Sequence, residues 1–233
     1  MATRTRIIWF LLAAALLLVA GAPAPEDSTS GEVDVSMSLK MAGEEQATGM
    51  PSSFSGHIWF CGNSARMEIT MPAPPDATEE QSPAGKMITI IDGDAKAAYI
   101  LMPETKTAMK MSLSDPQMQS PDQPRNPLSL LDPENYPQGA KITKLGPRSH
   151  GGSTVTAYQV SWTSDKRSFS SLFYVNAQQL PVYVETTMPE GKAEMTYSNY
   201  KFHKIDPALF KVPEGYQITD MAQMMKGMPV PPE

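Results

Sequence analysis

The amino-acid sequence predicts a mainly β protein built on one antiparallel sheet. Three observations support this fold class. Apolar and polar residues alternate with a period of two along most of the chain after residue 31, turn-forming runs separate the alternating segments, and no segment is followed by the pattern of a full-length helix. About ten or eleven strands, mostly joined as hairpins, and two short helical pieces account for the chain.

The first 24 residues predict a signal peptide. Arg4 and Arg6 precede an apolar run over residues 7–20, and small residues follow it at 20–24. The run is shorter than the roughly 20 apolar residues that span a membrane. No Cys follows it, so the sequence does not indicate a bacterial lipoprotein of the usual kind. We expect export to the periplasm or secretion after cleavage, with residues 25–31 as a short linker.

Composition indicates one globular domain over residues 32–217, followed by a tail over residues 218–233. The formal charge of −6 becomes −8 once Arg4 and Arg6 leave with the signal peptide, which argues against binding nucleic acid or anionic lipid surfaces. Cys61 is the one cysteine, so no internal disulfide is available, and we interpret it as a small buried apolar side chain.

The sequence of the first half of the domain predicts several strands, mostly joined as hairpins. The alternation is cleanest at 33–41, and further strands are expected at 57–61, 65–71, 87–91, 97–102 and 105–111. The Pro-rich segment 72–85 should be an exposed loop. Between 112 and 137 the alternation stops, and one apolar island remains, which predicts a short helix acting as a lid: Leu128, Leu130 and Leu131.

The second half of the domain returns to strands. We expect a strand pair over 141–145 and 155–162, then three antiparallel strands between 168 and 202. Asp206 and Pro207 predict a single helical turn that starts with an Asp cap and a proline.

The carboxyl-terminal third of the domain resembles a known family. The runs Phe173-Tyr174-Val175-Asn176, Leu180-Pro181-Val182 and Asp206-Pro207-Ala208-Leu209-Phe210-Lys211-Val212-Pro213-Glu214-Gly215-Tyr216 are similar to the corresponding half of periplasmic lipoprotein carriers of the LolA and LolB type, and to a bacterial family of unknown function with that fold. The resemblance implies a strongly curved sheet, an incomplete half-barrel whose concave apolar face accepts acyl chains under short lid helices. Peripheral association with the outer membrane is also implied.

Methionine is unusually frequent, with 17 residues in the chain, and many fall on the inward side of the expected strands. Because methionine is flexible and polarisable, it suits a surface that fits variable apolar partners, although a methionine-tolerant core would show the same pattern. The predicted binding face for a lipid, an acyl chain or an acylated protein comprises Met37, Leu39, Met67, Ile69, Met109, Met111, Tyr158, Val160, Trp162, Phe173 and Met195.

The tail offers an alternative function. Four methionines at spacings of three and four form one stripe of an expected helix that starts at Ile218: Met221, Met224, Met225 and Met228. Such a helix could cover the sheet, or its thioethers could bind Cu(I) in an exported metal-binding protein. A third interpretation is a structural or interaction module.

Motifs of enzymes are absent from the sequence. His57, His150 and His203 are scattered, and the pair Asp92 and Asp94 lies in a turn where solvated carboxylates are normal. We therefore expect an exported, monomeric, non-enzymatic protein that needs no cofactor and binds an apolar ligand.

Overall fold

The computed structural model describes residues 30–41, 53–71, 85–113, 139–164, 167–188 and 191–221. Within them the chain forms one sheet of twelve strands. The strands are β1 Ser30–Met41, β2 Ser53–Cys61, β3 Ser64–Met71, β4 Gly85–Asp92, β5 Ala97–Met102, β6 Thr107–Ser112, β7 Lys141–His150, β8 Ser153–Ser164, β9 Arg167–Val175, β10 Pro181–Met188, β11 Gly191–Phe202 and β12 Gln217–Asp220.

The sheet consists of two meanders joined through β1. Its order is β12-β6-β5-β4-β3-β2-β1-β11-β10-β9-β8-β7, so that β1 pairs with both β2 and β11. All pairs are antiparallel except β12 with β6, and the two ends of the sheet, β12 and β7, do not meet. The sheet is therefore open, as the sequence predicts.

Alternation along the strands gives the sheet one buried face and one largely polar face. On β1, Val33, Val35, Met37 and Leu39 are buried, whereas Ser36 and Lys40 on the opposite face are exposed. Tight reversals occur where glycine permits a positive φ, as at Gly151 and Gly152 (φ 56° and 77°) between β7 and β8. The period-two pattern in the sequence thus fixes which side chains share a face.

The buried face is the concave, inner face of the half-barrel. In the described residues no second sheet and no long helix lies over this face, and its side chains are buried, as expected for the inner side of a strongly curved sheet. The inner cluster comprises Val33, Val35, Met37, Leu39, Ile58, Phe60, Ala65, Met67, Ile69, Ile91, Ala98, Val160, Trp162, Phe169, Phe173, Val184, Met188, Ala193, Met195 and Tyr197.

A second, smaller cluster lies on the outer face of β4, β5 and β6. Residues 203–216 cross this face after β11, and their one 3₁₀ turn, Pro207–Phe210, places Phe210 into the cluster. The Asp206 carboxylate accepts the Ala208 N–H at 2.9 Å, which confirms the predicted cap. The buried members are Ile88, Ile90, Leu101, Ala108, Ile205 and Phe210.

Two predictions need correction. Residues 218–220 do not begin a helix: they belong to β12, which pairs in parallel with β6 in register Ile218 to Ala108 and raises the strand count to twelve. Asp92 is not solvated, because its side chain is buried and accepts a hydrogen bond from Lys211 Nζ at 2.8 Å. Both contacts join positions far apart in the chain, which local patterns do not report.

In the described part of the chain no helix has the length and apolar character needed to cross a membrane. Cys61 is partly exposed and packs beside the outer cluster, so it is less buried than the sequence suggested.

Candidate functional site: the inner apolar face

Strand register brings all eleven predicted ligand-binding residues to the inner face. One ladder of directly paired positions runs across six strands through Tyr158, Phe173, Val184, Met195, Met37 and Phe54. A second runs through Val33, Ile58, Met67, Thr89, Ile100 and Met109. Leu39, Ile69, Met111, Val160 and Trp162 occupy the same face in neighbouring rows.

Burial varies across this face. Met67 and Met195, on the central strands, are 0% and 1% exposed. Met109 and Met111 on β6 and Tyr158 on β8 are only half-buried. The flexible thioether side chains therefore occupy both fully buried and half-buried positions on this face.

Polar groups on the inner face are few, and most are paired. Ser171 Oγ and Thr186 Oγ1 are 2.9 Å apart, and the Tyr197 hydroxyl donates to Met195 Sδ at 3.5 Å. Tyr200 donates to the Pro181 carbonyl oxygen at 2.7 Å. Burial raises the pKa of Tyr197 and of Tyr200 well above the usual 10.0, so both phenols remain neutral donors. Thr89 Oγ1 is buried and has no partner among the described residues.

A group of charged residues on the outer face of β1, β2 and β11 forms ion pairs. His57 Nδ1 is 2.7 Å from Asp34 Oδ1, and Lys201 Nζ donates to Glu32 at 3.0 Å. Hydrogen bonds from Asn199 and then from His57 lower the pKa of Asp34. Among the residues described, no three His, Cys, Asp or Glu side chains are arranged to hold a metal ion. The charged group formed by Glu32, Asp34, His57 and Lys201 therefore has the character of a structural ion-pair network.

Sequence reasoning missed a hydroxyl-lined groove on the outer face. It has a volume of about 470 Å³ and lies where β1, β2, β3 and β11 run side by side. The available signal was the repeat of serine at alternate positions on two paired strands, Ser36 and Ser38 on β1 and Ser53 and Ser55 on β2. Its lining is Ser36, Met37, Ser38, Ser53, Phe54, Ser55, Thr70, Glu194 and Thr196.

Other predicted site residues lie outside the described residues. These are the lid leucines Leu128, Leu130 and Leu131, and the tail methionines Met224, Met225 and Met228. Met221 follows β12 directly and is the last residue that the structure describes. The lid and the alternative Cu(I) site therefore remain predictions.

The chain is similar to solved structures over most of its length, at low identity. An uncharacterized conserved protein from Thermus thermophilus is 11% identical, with a TM-score of 0.49 over 92% of this chain and 99% of that one. Mycobacterium tuberculosis lipoprotein LppX is 11% identical, with a TM-score of 0.37 over 85% and 94%. A putative outer membrane lipoprotein-sorting protein domain from Vibrio parahaemolyticus is 14% identical, with a TM-score of 0.36 over 78% and 88%.

One of these structural neighbours is thus a putative lipoprotein-sorting domain, the kind of protein that the carboxyl-terminal motif resembles. No protein-family model matches the chain, and no curated protein matches it.

Proposed function

We propose that the protein binds the apolar chain of a lipid or of an acylated protein on its inner face and carries it in the cell envelope without catalysing a reaction. The observation that supports this most is the inner face itself: an open sheet presents a continuous apolar surface, crossed by methionines from β1, β3, β6 and β11. Export to the periplasm or beyond, and a monomeric state, belong to the same proposal.

The mechanism is passive. Sheltering an acyl chain from water contributes about 0.8 kcal/mol for each buried CH₂ group. Flexible methionine side chains can repack around chains of different length at little cost, since the thioether has three rotatable bonds and no hydrogen-bond requirement. Release then needs only a partner surface or a lid movement that competes for the same apolar area.

The first experiment is native mass spectrometry of residues 25–233, purified gently from a host that exports the protein. Adducts of several hundred daltons that extract as acylated lipids are the expected result. A ligand-free mass that gains one copper on titration with Cu(I) would favour the tail methionines instead. A ligand-free mass with neither would favour a packed structural domain.

Tryptophan quenching then locates the ligand. Without the signal peptide the chain keeps two tryptophans on opposite faces: Trp162 belongs to the inner cluster, stacked on Phe169 at 5.4 Å between ring centres, whereas Trp59 packs against the outer cluster. A mid-chain brominated fatty acid should quench Trp59→Phe, which retains Trp162, far more than Trp162→Phe. Equal quenching of both variants contradicts binding on the inner face.

Chain length provides an independent measurement. If the acyl chain lies along the inner face, each added CH₂ should raise affinity about fourfold until the face is filled, because 0.8 kcal/mol corresponds to roughly that factor. Met195→Gln, which keeps the length of the side chain but adds an amide to the face, should weaken binding at every chain length. Ile218→Gln is the matched control, since Ile218 is 53% exposed on β12.

A further inference from the structure

Thr89 carries a buried hydroxyl group on the inner face. It lies in the middle of β4, opposite Met67 on β3 and Ile100 on β5, and is 7% exposed. Its hydroxyl group has no hydrogen-bond partner among the described residues. Native proteins rarely leave a buried hydroxyl unpaired, because the lost hydration is not replaced. A polar group from outside the chain would satisfy it.

Three other hydroxyl groups of the face, those of Ser171, Thr186 and Tyr197, have partners within the protein. Ser171 and Thr186 bond each other at 2.9 Å, and Tyr197 donates to Met195 Sδ. Thr89 therefore offers a hydrogen bond that the described residues do not use. Its position at the centre of the second ladder would place the bonded atom well inside the face.

The surroundings of Thr89 select the chemistry of that atom. Its neighbours on the ladder and on its own strand are apolar: Met67, Ile100, Met87 and Ile91. None carries a positive charge, so a carboxylate placed here would be buried without a counter-ion. An amide or alcohol would bring a further donor that needs an acceptor, whereas an ester carbonyl only accepts.

We propose that Thr89 donates a hydrogen bond to the ester carbonyl oxygen of an acyl-ester ligand, and so makes the inner face selective for neutral acyl esters over free fatty acids and plain hydrocarbons. This inference rests on the proposed function, since it requires a ligand on the inner face. Thr89 acts as a specificity-determining residue, and the acyl chain supplies the remaining affinity.

The test compares three ligands with one chain length, methyl palmitate, palmitate and hexadecane, by displacement of a fluorescent apolar probe. In the wild-type protein methyl palmitate should bind most tightly. Thr89→Val removes the hydroxyl at nearly constant volume and should lower affinity for methyl palmitate about 3- to 10-fold while leaving that for hexadecane unchanged or higher. Thr89→Ser, which restores the hydroxyl, should restore the preference.

Thr196→Val is the matched control, because Thr196 is exposed on the outer face of β11 and opposite Ser36. The ratio of the methyl palmitate and hexadecane affinities should stay at its wild-type value. If the wild-type protein binds none of the three ligands, the proposed function itself fails. If it binds them and Thr89→Val leaves that ratio unchanged, only the role of Thr89 is overturned.

A measurement on the wild-type protein avoids dependence on a folded variant. Methyl palmitate labelled with ¹³C at the carbonyl should show its carbonyl stretch at lower frequency when bound than when dissolved in hexane, because a hydrogen bond weakens the C=O bond. An unshifted band in the bound ligand overturns the proposal even if the affinity order is as expected.

Discussion

Phe210→Ala should destabilise the protein strongly without changing ligand binding on the inner face. Phe210 ends the 3₁₀ turn Pro207–Phe210 and is 3% exposed in the outer cluster. Its neighbours Ile90 and Leu101 are 0% exposed and lie on hydrogen-bonded strands. Since those strands cannot collapse into the space, the substitution leaves a cavity on the face opposite the proposed site.

The magnitude follows from that rigidity. Truncating a buried Phe to Ala costs about 3–5 kcal/mol, and poor relaxation favours the upper half of that range. For a domain of this size each kcal/mol lowers Tm by about 2–4 °C, so the loss is on the order of 6–20 °C. The turn should survive, because the Asp206 carboxylate still accepts the Ala208 N–H.

Urea denaturation followed by circular dichroism measures the free energy of unfolding, and the chain-length series measures binding below the transition. Leu209→Ala is a matched control in the same turn, where the half-buried side chain predicts a smaller loss. A loss below about 1 kcal/mol for Phe210→Ala would show that residues 203–216 do not belong to the cooperative unit. If Phe210→Ala lowers the affinity for every ligand by the same factor at temperatures where the variant is folded, the two faces are not independent.

Three further predictions concern polar contacts. Burial opposes ionisation of Asp92, but hydrogen bonds from Lys211 Nζ and the Ala95 N–H outweigh this effect and lower the pKa of Asp92 from 3.8. Asp92→Asn should therefore have a lower free energy of unfolding in urea than wild type at neutral pH. The difference between the two proteins should shrink only below pH 3.8, where the carboxylate of the wild-type protein becomes protonated. Thr89→Val should stabilise the ligand-free protein by about 1 kcal/mol, whereas Thr186→Val, which leaves the buried Ser171 hydroxyl unpaired, should destabilise it by about 1–3 kcal/mol in the same titration. Arg66 donates to Glu68 and to the Leu209 carbonyl oxygen, and so holds the turn Pro207–Phe210 against β3. Arg66→Lys should loosen that turn and speed hydrogen exchange of the Lys211 N–H, which donates to the Ala208 carbonyl oxygen.

The period of two made the inner face predictable from sequence. Once Met37 and Met195 are assigned to buried positions, alternation within each strand places Leu39 and Tyr197 on the same side, and burial of that side fixes the register between strands. The turn Pro207–Phe210 was equally local, since Asp, Pro and the following apolar residues define it alone.

Features that depend on contacts between distant parts of the chain could not be predicted from the sequence. The pattern of residues 218–220 suits either a helix or a short strand. These residues form strand β12 because they pair with the edge of β6, which is distant in the sequence. Asp92 reads as a turn residue, and its partner Lys211 is 119 positions away. The unpaired hydroxyl of Thr89 is likewise invisible in the sequence, because it depends on which groups the neighbouring strands fail to supply.

The outer cluster stabilises the sheet from the face opposite the proposed ligand site. An open sheet that binds a ligand on one face needs stability that does not depend on that ligand. Strand β4 is buried on both faces: Ile88 and Ile90 pack under residues 203–216, whereas Thr89 and Ile91 face inward. Apolar area under the outer segment stabilises β4, β5 and β6 in the ligand-free state. Because this stabilising area lies on the face opposite the proposed ligand site, loss of stability and loss of binding should separate in the Phe210→Ala variant.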